Sequence, residues 1–327
     1  MIDADTAAAG GDPGGRRHNG QSLDITFHVW SAMRRPAARL LALLVPMSLV
    51  LAACGGSSGG TAPTNNGADA PLASALPDSV RSAGVLRVGS DIAYAPVEFY
   101  DADGKTAIGI DPDIAAALGE QLGVKLEFQN GTFDGLITSL RSKRIDLVMS
   151  ALSDTPERQK LIDFVDYFTA GTSILVKKGN PGKITSLDDF CGKTIALQRG
   201  TTQEDVAKAQ VTKCQQAGKP LKVLAFDRDT EALLQVKQGR AVADMNDFPV
   251  AAYNAKTAGD GGDFEVVGEQ IEAGPYGIGV RKEDTQVRDA LMQALTAIIS
   301  DGTYAKILEK WNVSQGAVKT ATINGGS

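Results

Sequence analysis

The chain has 327 residues, 43% hydrophobic and 22% charged, with a formal net charge of −6 at pH 7. That composition supports a packed globular core, and the mildly acidic balance argues against nucleic acid as a partner. Both histidines, His18 and His28, lie near the N-terminal end, so the folded part holds no Ser–His–Asp triad, Cys–His pair or histidine metal site, and no cofactor or metal is expected.

From Met33 the chain reads "MRRPAARLLALLVPMSLVLAAC". A basic head, a short apolar run interrupted by Pro46, and small residues at its end form a secretory signal rather than a membrane span, and residues 1–53 are read as this signal region. The polar stretch before Met33 fits neither a signal nor a domain, so a start at Met33 is the alternative to translation of the whole segment. The ending "LAAC" resembles the lipobox of bacterial lipoproteins. That resemblance implies lipidation of Cys54 and anchoring to the outer face of the cytoplasmic membrane; a buried cysteine after an ordinary signal is the alternative. Residues 54–80, rich in Gly, Ser, Ala and Pro, are expected to form a flexible tether reaching roughly 25–30 Å.

Strand-like and helix-like patterns then alternate. Strands are expected at 85–90, 124–129 and 145–150, with helices at 111–123 and 133–144. A second set follows, with strands at 194–198, 221–226 and 241–245 and helices at 202–218, 229–239 and 248–259. Glycine-containing extended connectors at 166–184 and 272–282 separate the sets, and terminal helices span about 285–300 and 302–311. This βαβ rhythm predicts an α/β protein of two lobes, each with a sheet flanked by helices. The boundaries expected are 81–169 plus 275–327 for lobe 1 and 170–274 for lobe 2, with two crossings forming a hinge. Setting Cys54 aside leaves Cys191 and Cys214, an even remainder that in an exported protein points to a disulfide, two separate thiols being the alternative.

Ligands in open α/β sheets bind beyond the carboxyl ends of strands, where loops enter helices. In "SALSDTPERQKLIDF" (150–164), Ser153 and Thr155 lead into a helix start that also carries Arg158, a cation where the helix dipole favours an anion. A bound carboxylate would compensate; a solvated Arg158 paired with Glu157 or Asp154 is the bland alternative. In "LQRGTTQED" (197–205), Thr201 and Thr202 begin another helix after Gln198, with capping-box spacing to Glu204. In "DMNDFPV" (244–250), Asn246 and Asp247 stand between strand and helix, Asp247 as an N-cap or as an acceptor for an ammonium. Asp91 and Tyr94 follow the first strand, and Phe133 opens a later helix; such aromatics can equally be core. An arginine and helix starts for a carboxylate, with an aspartate for an ammonium, match an α-amino acid. "CGKT" (191–194) is no phosphate loop, because Leu187 stands where its first glycine is required.

"GIDPDIAAALGEQL" (109–122), "SALSDTPERQKLIDF" and "LQRGTTQED", in that order, resemble the family 3 extracellular solute-binding proteins of ABC importers, over about residues 85–311. The resemblance implies a type II periplasmic-binding-protein fold with a two-stranded hinge, and capture of a polar amino acid without chemistry. It assigns the ligand carboxylate to Arg158, Ser153 and the amides of Thr201 and Thr202. The ammonium goes to Asp247 and the Ala151 carbonyl, and the side chain to Asp91, Tyr94 and Phe133, with Gln198 and Asn246 at ligand-binding positions that vary with the ligand among relatives. Asp91 disfavours an acidic side chain, which leaves glutamine or a basic amino acid. The implied partners are a permease and its ATPase subunits, with the protein itself a monomer. A dehydratase acting on a cyclic carboxylic acid is the competing reading.

Overall fold

The structure, a computed structural model, describes residues 67–327; the signal region, Cys54 and the first part of the expected tether lie outside the described residues. In chain order the elements are α1 (Asp78–Ala83), β1 (Val85–Ser90), β2 (Ala93–Tyr94), β3 (Glu98–Tyr100), β4 (Ala107–Ile108), α2 (Ile110–Leu122), β5 (Lys125–Asn130), α3 (Leu136–Arg141), β6 (Leu147–Val148), α4 (Pro156–Gln159) and β7 (Asp163–Lys177). There follow β8 (Thr194–Gln198), α5 (Thr202–Gln216), β9 (Lys222–Phe226), α6 (Asp229–Lys237), β10 (Ala243–Asp247), α7 (Phe248–Thr257), β11 (Phe264–Val280), α8 (Thr285–Ser300), α9 (Thr303–Lys310) and β12 (Ala317–Ile323).

One mixed nine-stranded sheet runs β5-β1-β6-β11-β7-β10-β8-β9, with β12 added alongside β7. Its flanks are parallel, β1 with β5 and β6, and β8 with β9 and β10, as the βαβ rhythm requires. The centre is the antiparallel pair β7 and β11, each long enough to serve both flanks. The sequence reads these two as connectors because glycines break their pattern; in the fold they are the longest strands. Within β7, burial lapses at Thr169 and Ala170, between two fully buried runs, before the strand ends at the exposed Lys177. Two of the three register shifts in the pair fall between Val267 and Gly274, the third between Tyr276 and Gly277. The hydrophobic cores divide at the same place. Leu86, Val88, Leu118, Leu147 and Leu291 pack in one cluster, and Ile174, Phe190, Ile195, Leu197 and Met245 in another.

Helix α2 shows why these segments fold as they do. Ile114, Leu118 and Leu122, four apart, are all fully buried, each contributing about 1.5–3 kcal/mol. Cys191 and Cys214 form a disulfide that ties the segment before β8 to the last turn of α5.

Two expectations need correction. The flexible tether does not extend to residue 80: Leu76 is buried with Leu118 and Leu291, and Leu72 N–H donates to the Gln121 carbonyl at 2.9 Å. The apolar spacing within "PLASAL" outweighs its small-residue composition. The helix at 133–144 is a 3₁₀ turn at Phe133–Gly135 followed by the short α3. The small antiparallel sheet β2-β3-β4 and the strand β12 carry no local signal strong enough to read.

Candidate functional site

A narrow pocket, with a cavity volume of only about 10 Å³, lies between the two flanks of the sheet. The first flank lines it with Asp91, Tyr94, Glu98, Phe133, Ser150, Ala151, Ser153 and Arg158, and the second with Gln198, Thr201, Thr202, Gln203 and Asp247. Every side chain expected there from sequence takes part except Asn246.

Arg158 projects from α4, a single turn whose N-cap Thr155 accepts the Arg158 backbone N–H at 3.3 Å. So short a helix has little dipole, which removes most of the cost of a cation in its first turn. The guanidinium donates through Nη1 to the Ser153 carbonyl at 2.8 Å and through Nη2 to the Gly200 carbonyl at 3.0 Å, and it lies over the Phe133 ring, 5.6 Å from the centroid. One fork therefore touches both flanks. Burial lowers its pKa from the usual arginine value, opposed by Asp205, Asp247 and Asp154.

Facing it is the start of α5. Thr201 Oγ1 accepts the Glu204 N–H at 3.2 Å, as the spacing predicts, but the Glu204 carboxylate accepts the Gly200 N–H at 2.8 Å, one residue before the cap, so the reciprocal box is only half formed. Gly200 holds φ +77°, and a Cβ there would meet Asp134 Cβ at 2.9 Å. Only glycine lets the backbone come this close to the opposite flank.

Asp247 ends β10. Its carboxylate accepts Tyr94 Oη at 3.0 Å and Gln203 Nε2 at 2.9 Å, while its backbone N–H donates back to Tyr94 Oη at 2.9 Å. Burial raises its pKa to about 6, with Tyr94 and Gln203 holding it down. Burial likewise raises Asp91, opposed by Gln198, whose Nε2 donates to Asp91 Oδ2 at 2.6 Å, and by Arg228 at 4.0 Å. Asp91 Oδ1 has no hydrogen-bond partner.

The floor is a hydrogen-bonded acid network. Ser150 Oγ donates to Glu98 Oε1 at 2.8 Å and accepts the Asp91 N–H at 3.0 Å. Asp111 accepts Tyr167 Oη at 2.6 Å and the Ala151 N–H at 3.3 Å. Burial raises Asp111 to about 7 and Glu98 well above its usual value, and the Asp111 charge raises Glu98 further. Asp111 thereby supports Ala151, a non-glycine residue at φ +45°.

Asn246 is the correction. Its amide donates to Asp244 at 2.9 Å and to Asp229 at 3.4 Å, away from the pocket. Successive strand residues face opposite sides, so Asn246 and Asp247 cannot both point inward. Glu98, Ser150 and Gln203 line the pocket and are missed by the sequence reading. Gln203 stood inside a quoted motif, one turn from Gly200, and its position was the available signal.

A cation, a helix start and buried carboxylates around one pocket make a receptor for a dipolar molecule. Residues 86–314 match the family described as bacterial extracellular solute-binding proteins, family 3. The chain belongs to that family. It is 30% identical to the arginine-binding protein ArgT of Corynebacterium glutamicum over 251 residues, 76% of this chain and 81% of that protein. It is 32% identical to the L-cystine-binding protein TcyJ of Escherichia coli over 237 residues, 72% and 85% of the two. Among solved structures, the ancestral amino acid-binding protein AncCDT-1, a precursor of cyclohexadienyl dehydratase, matches with TM-score 0.65 and 41% identity over 72% of this chain and 98% of that one. This solute-binding protein thus has the mixed α/β fold of two-lobed relatives, and the relatives named for their ligands are binders rather than enzymes.

Proposed function

We propose that the protein captures a polar L-α-amino acid between two closing lobes and hands it to an ABC permease driven by separate ATPase subunits. The observation that carries this is one pocket lined by groups of both charges: Arg158 and the α5 start together with Asp247 and Asp91. Arg158 pairs with the α-carboxylate, helped by Ser153 and the amides of Thr201 and Thr202, and Asp247 takes the ammonium with the Ala151 carbonyl. Both lobes contribute to each charge, so closure and binding are one event.

Asp91, whose Oδ1 lacks a partner, favours a side chain that donates hydrogen bonds. That supports glutamine or a basic amino acid, and the likeness to an arginine-binding protein supports the basic class. A dehydratase substrate without an ammonium would bring no cation to the buried Asp247, which disfavours that reading. The lobes meet near Thr169 and Gly274, so that 81–169 plus 275–327 close against 170–274. The signal region, lipidation at Cys54, tethering to the outer face of the cytoplasmic membrane and a monomeric state complete the proposal.

Calorimetric titration of protein refolded free of carried-over ligand, against all common amino acids, tests it. One-to-one binding of one or two polar amino acids that disappears in Arg158→Ala is expected. No binding across the panel overturns the reading.

A further inference from the structure

The family match ends at residue 314, yet the chain beyond it sits on the turn that carries Arg158. Strand β12 pairs antiparallel with β7, setting Thr322 opposite Asp166 and Ile323 opposite Val165. Past β12, Asn324 Oδ1 accepts the Phe164 N–H at 2.8 Å, and Thr322 Oγ1 and the Gly325 N–H donate to Asp166 Oδ2 at 2.9 and 2.8 Å.

The next contacts reach the site. The Gly326 N–H donates to Asp154 Oδ2 at 2.8 Å, and Gln159 Nε2 donates to both Asp154 Oδ1 and the Gly326 carbonyl, each at 2.9 Å. Asp154 directly follows Ser153, and Gln159 directly follows Arg158. On the opposite edge, the Asp154 N–H donates to the Pro275 carbonyl at 2.8 Å and the Gly277 N–H to the Leu152 carbonyl at 2.9 Å. Residues 152–159 are therefore held between β11 on one side and the tail on the other.

We propose that Thr322–Gly326 is a strap that positions Ser153 and Arg158 for the ligand. The idea rests on the reading of Arg158 as the carboxylate clamp. A helix of four residues does not hold itself, because nucleation is costly and one turn returns few bonds. The strap supplies the missing restraint, fixing both ends of the turn while leaving the guanidinium free to face the pocket. Its fit is close: a Cβ at Gly326 would fall on the Asp154 carbonyl. These are positioning residues, since none of them lines the pocket.

The test compares the unaltered protein with Gly326→Ala, which unseats the tail, and Gln159→Met, which removes the shared donor but keeps the shape. Hydrogen exchange is followed at the amides of 158–162, and L-arginine and L-glutamine are titrated as probes. Exchange at 158–162 should accelerate about tenfold in both variants, with affinity for the bound probe falling about five- to tenfold. Exchange in β8 and α5 should stay unchanged, and the ligand-free unfolding midpoint should move by less than about 2 °C. Unchanged exchange at 158–162 overturns the strap, and faster exchange with unchanged affinity reduces it to a structural contact. If the unaltered protein binds neither probe nor any other amino acid, the clamp reading fails, while the exchange arm still decides whether the tail holds the turn.

Discussion

The starts of α4 and α5 meet in one pocket but are built in opposite ways. Helix α5 has 15 residues, caps itself through Thr201 and Glu204, and is pinned at its far end by the Cys191–Cys214 disulfide. Helix α4 has four residues and depends on β11 and the chain beyond β12 for its position. The self-sufficient start offers backbone groups, which need only a regular helix behind them. The dependent start offers a charged side chain, whose aim must be set by contacts from elsewhere.

The largest effect should come from Arg158→Ala, with a loss of at least about 3 kcal/mol, or more than a hundredfold, in amino-acid affinity by calorimetry, because a buried carboxylate would lose its partner. A loss under tenfold would make α5 the main anion site. Next in size, Cys191→Ala with Cys214→Ala should lower stability to chemical denaturant by about 3 kcal/mol, as expected for opening a loop of that length, without a matching loss of affinity. A parallel loss of affinity would show that α5 is no more independent than α4.

Asp247 gives a pH test. Its folded pKa near 6 lies above the usual carboxylate value, so the closed form holds the proton between about pH 4 and 6, and stability from this group falls as pH rises through that window. An ammonium needs the ionised form, so affinity should rise from pH 5 to 7 and then level off. Asp247→Asn should flatten that profile and weaken binding about ten- to a hundredfold, whereas an unchanged profile would move the ammonium elsewhere.

Gly200→Ala should cost about 1–2 kcal/mol of ligand-free stability through left-handed strain, with a further loss of binding through the close contact with Asp134. Small-angle scattering with saturating ligand would show incomplete closure. Smallest of all, Thr201→Ala should lower thermal stability by about 1 kcal/mol through the lost cap. An equal effect from Thr155→Ala would contradict the view that α4 owes its place to distant contacts.

Much of the fold was legible because each βα unit writes its pattern within about fifteen residues: apolar residues four apart in α2, a capping pair at α5, short β-branched strands between. The candidate pocket was legible for a related reason, since strand-to-helix passages announce themselves by turn and cap residues. Strand alternation, which is legible in the sequence, already turns Asn246 away from the face that carries Asp247. Glu98 and Ser150 could not, because their role comes from a contact between residues 52 apart in the chain.

By itself, then, the sequence determined the order of strands and helices, the disulfide candidates, the cap at Thr201 and the cluster of charges suited to a dipolar ligand. Only the tertiary structure decided that β7 and β11 are continuous through both flanks, that 67–80 packs instead of trailing, that Glu98 and Gln203 reach the pocket, and that the tail holds the Arg158 turn. The reason is range. Helix and turn preferences act over a few residues and leave a local trace, whereas a hydrogen bond such as that from Gly326 to Asp154 joins positions 172 apart, and neither segment alone records its partner.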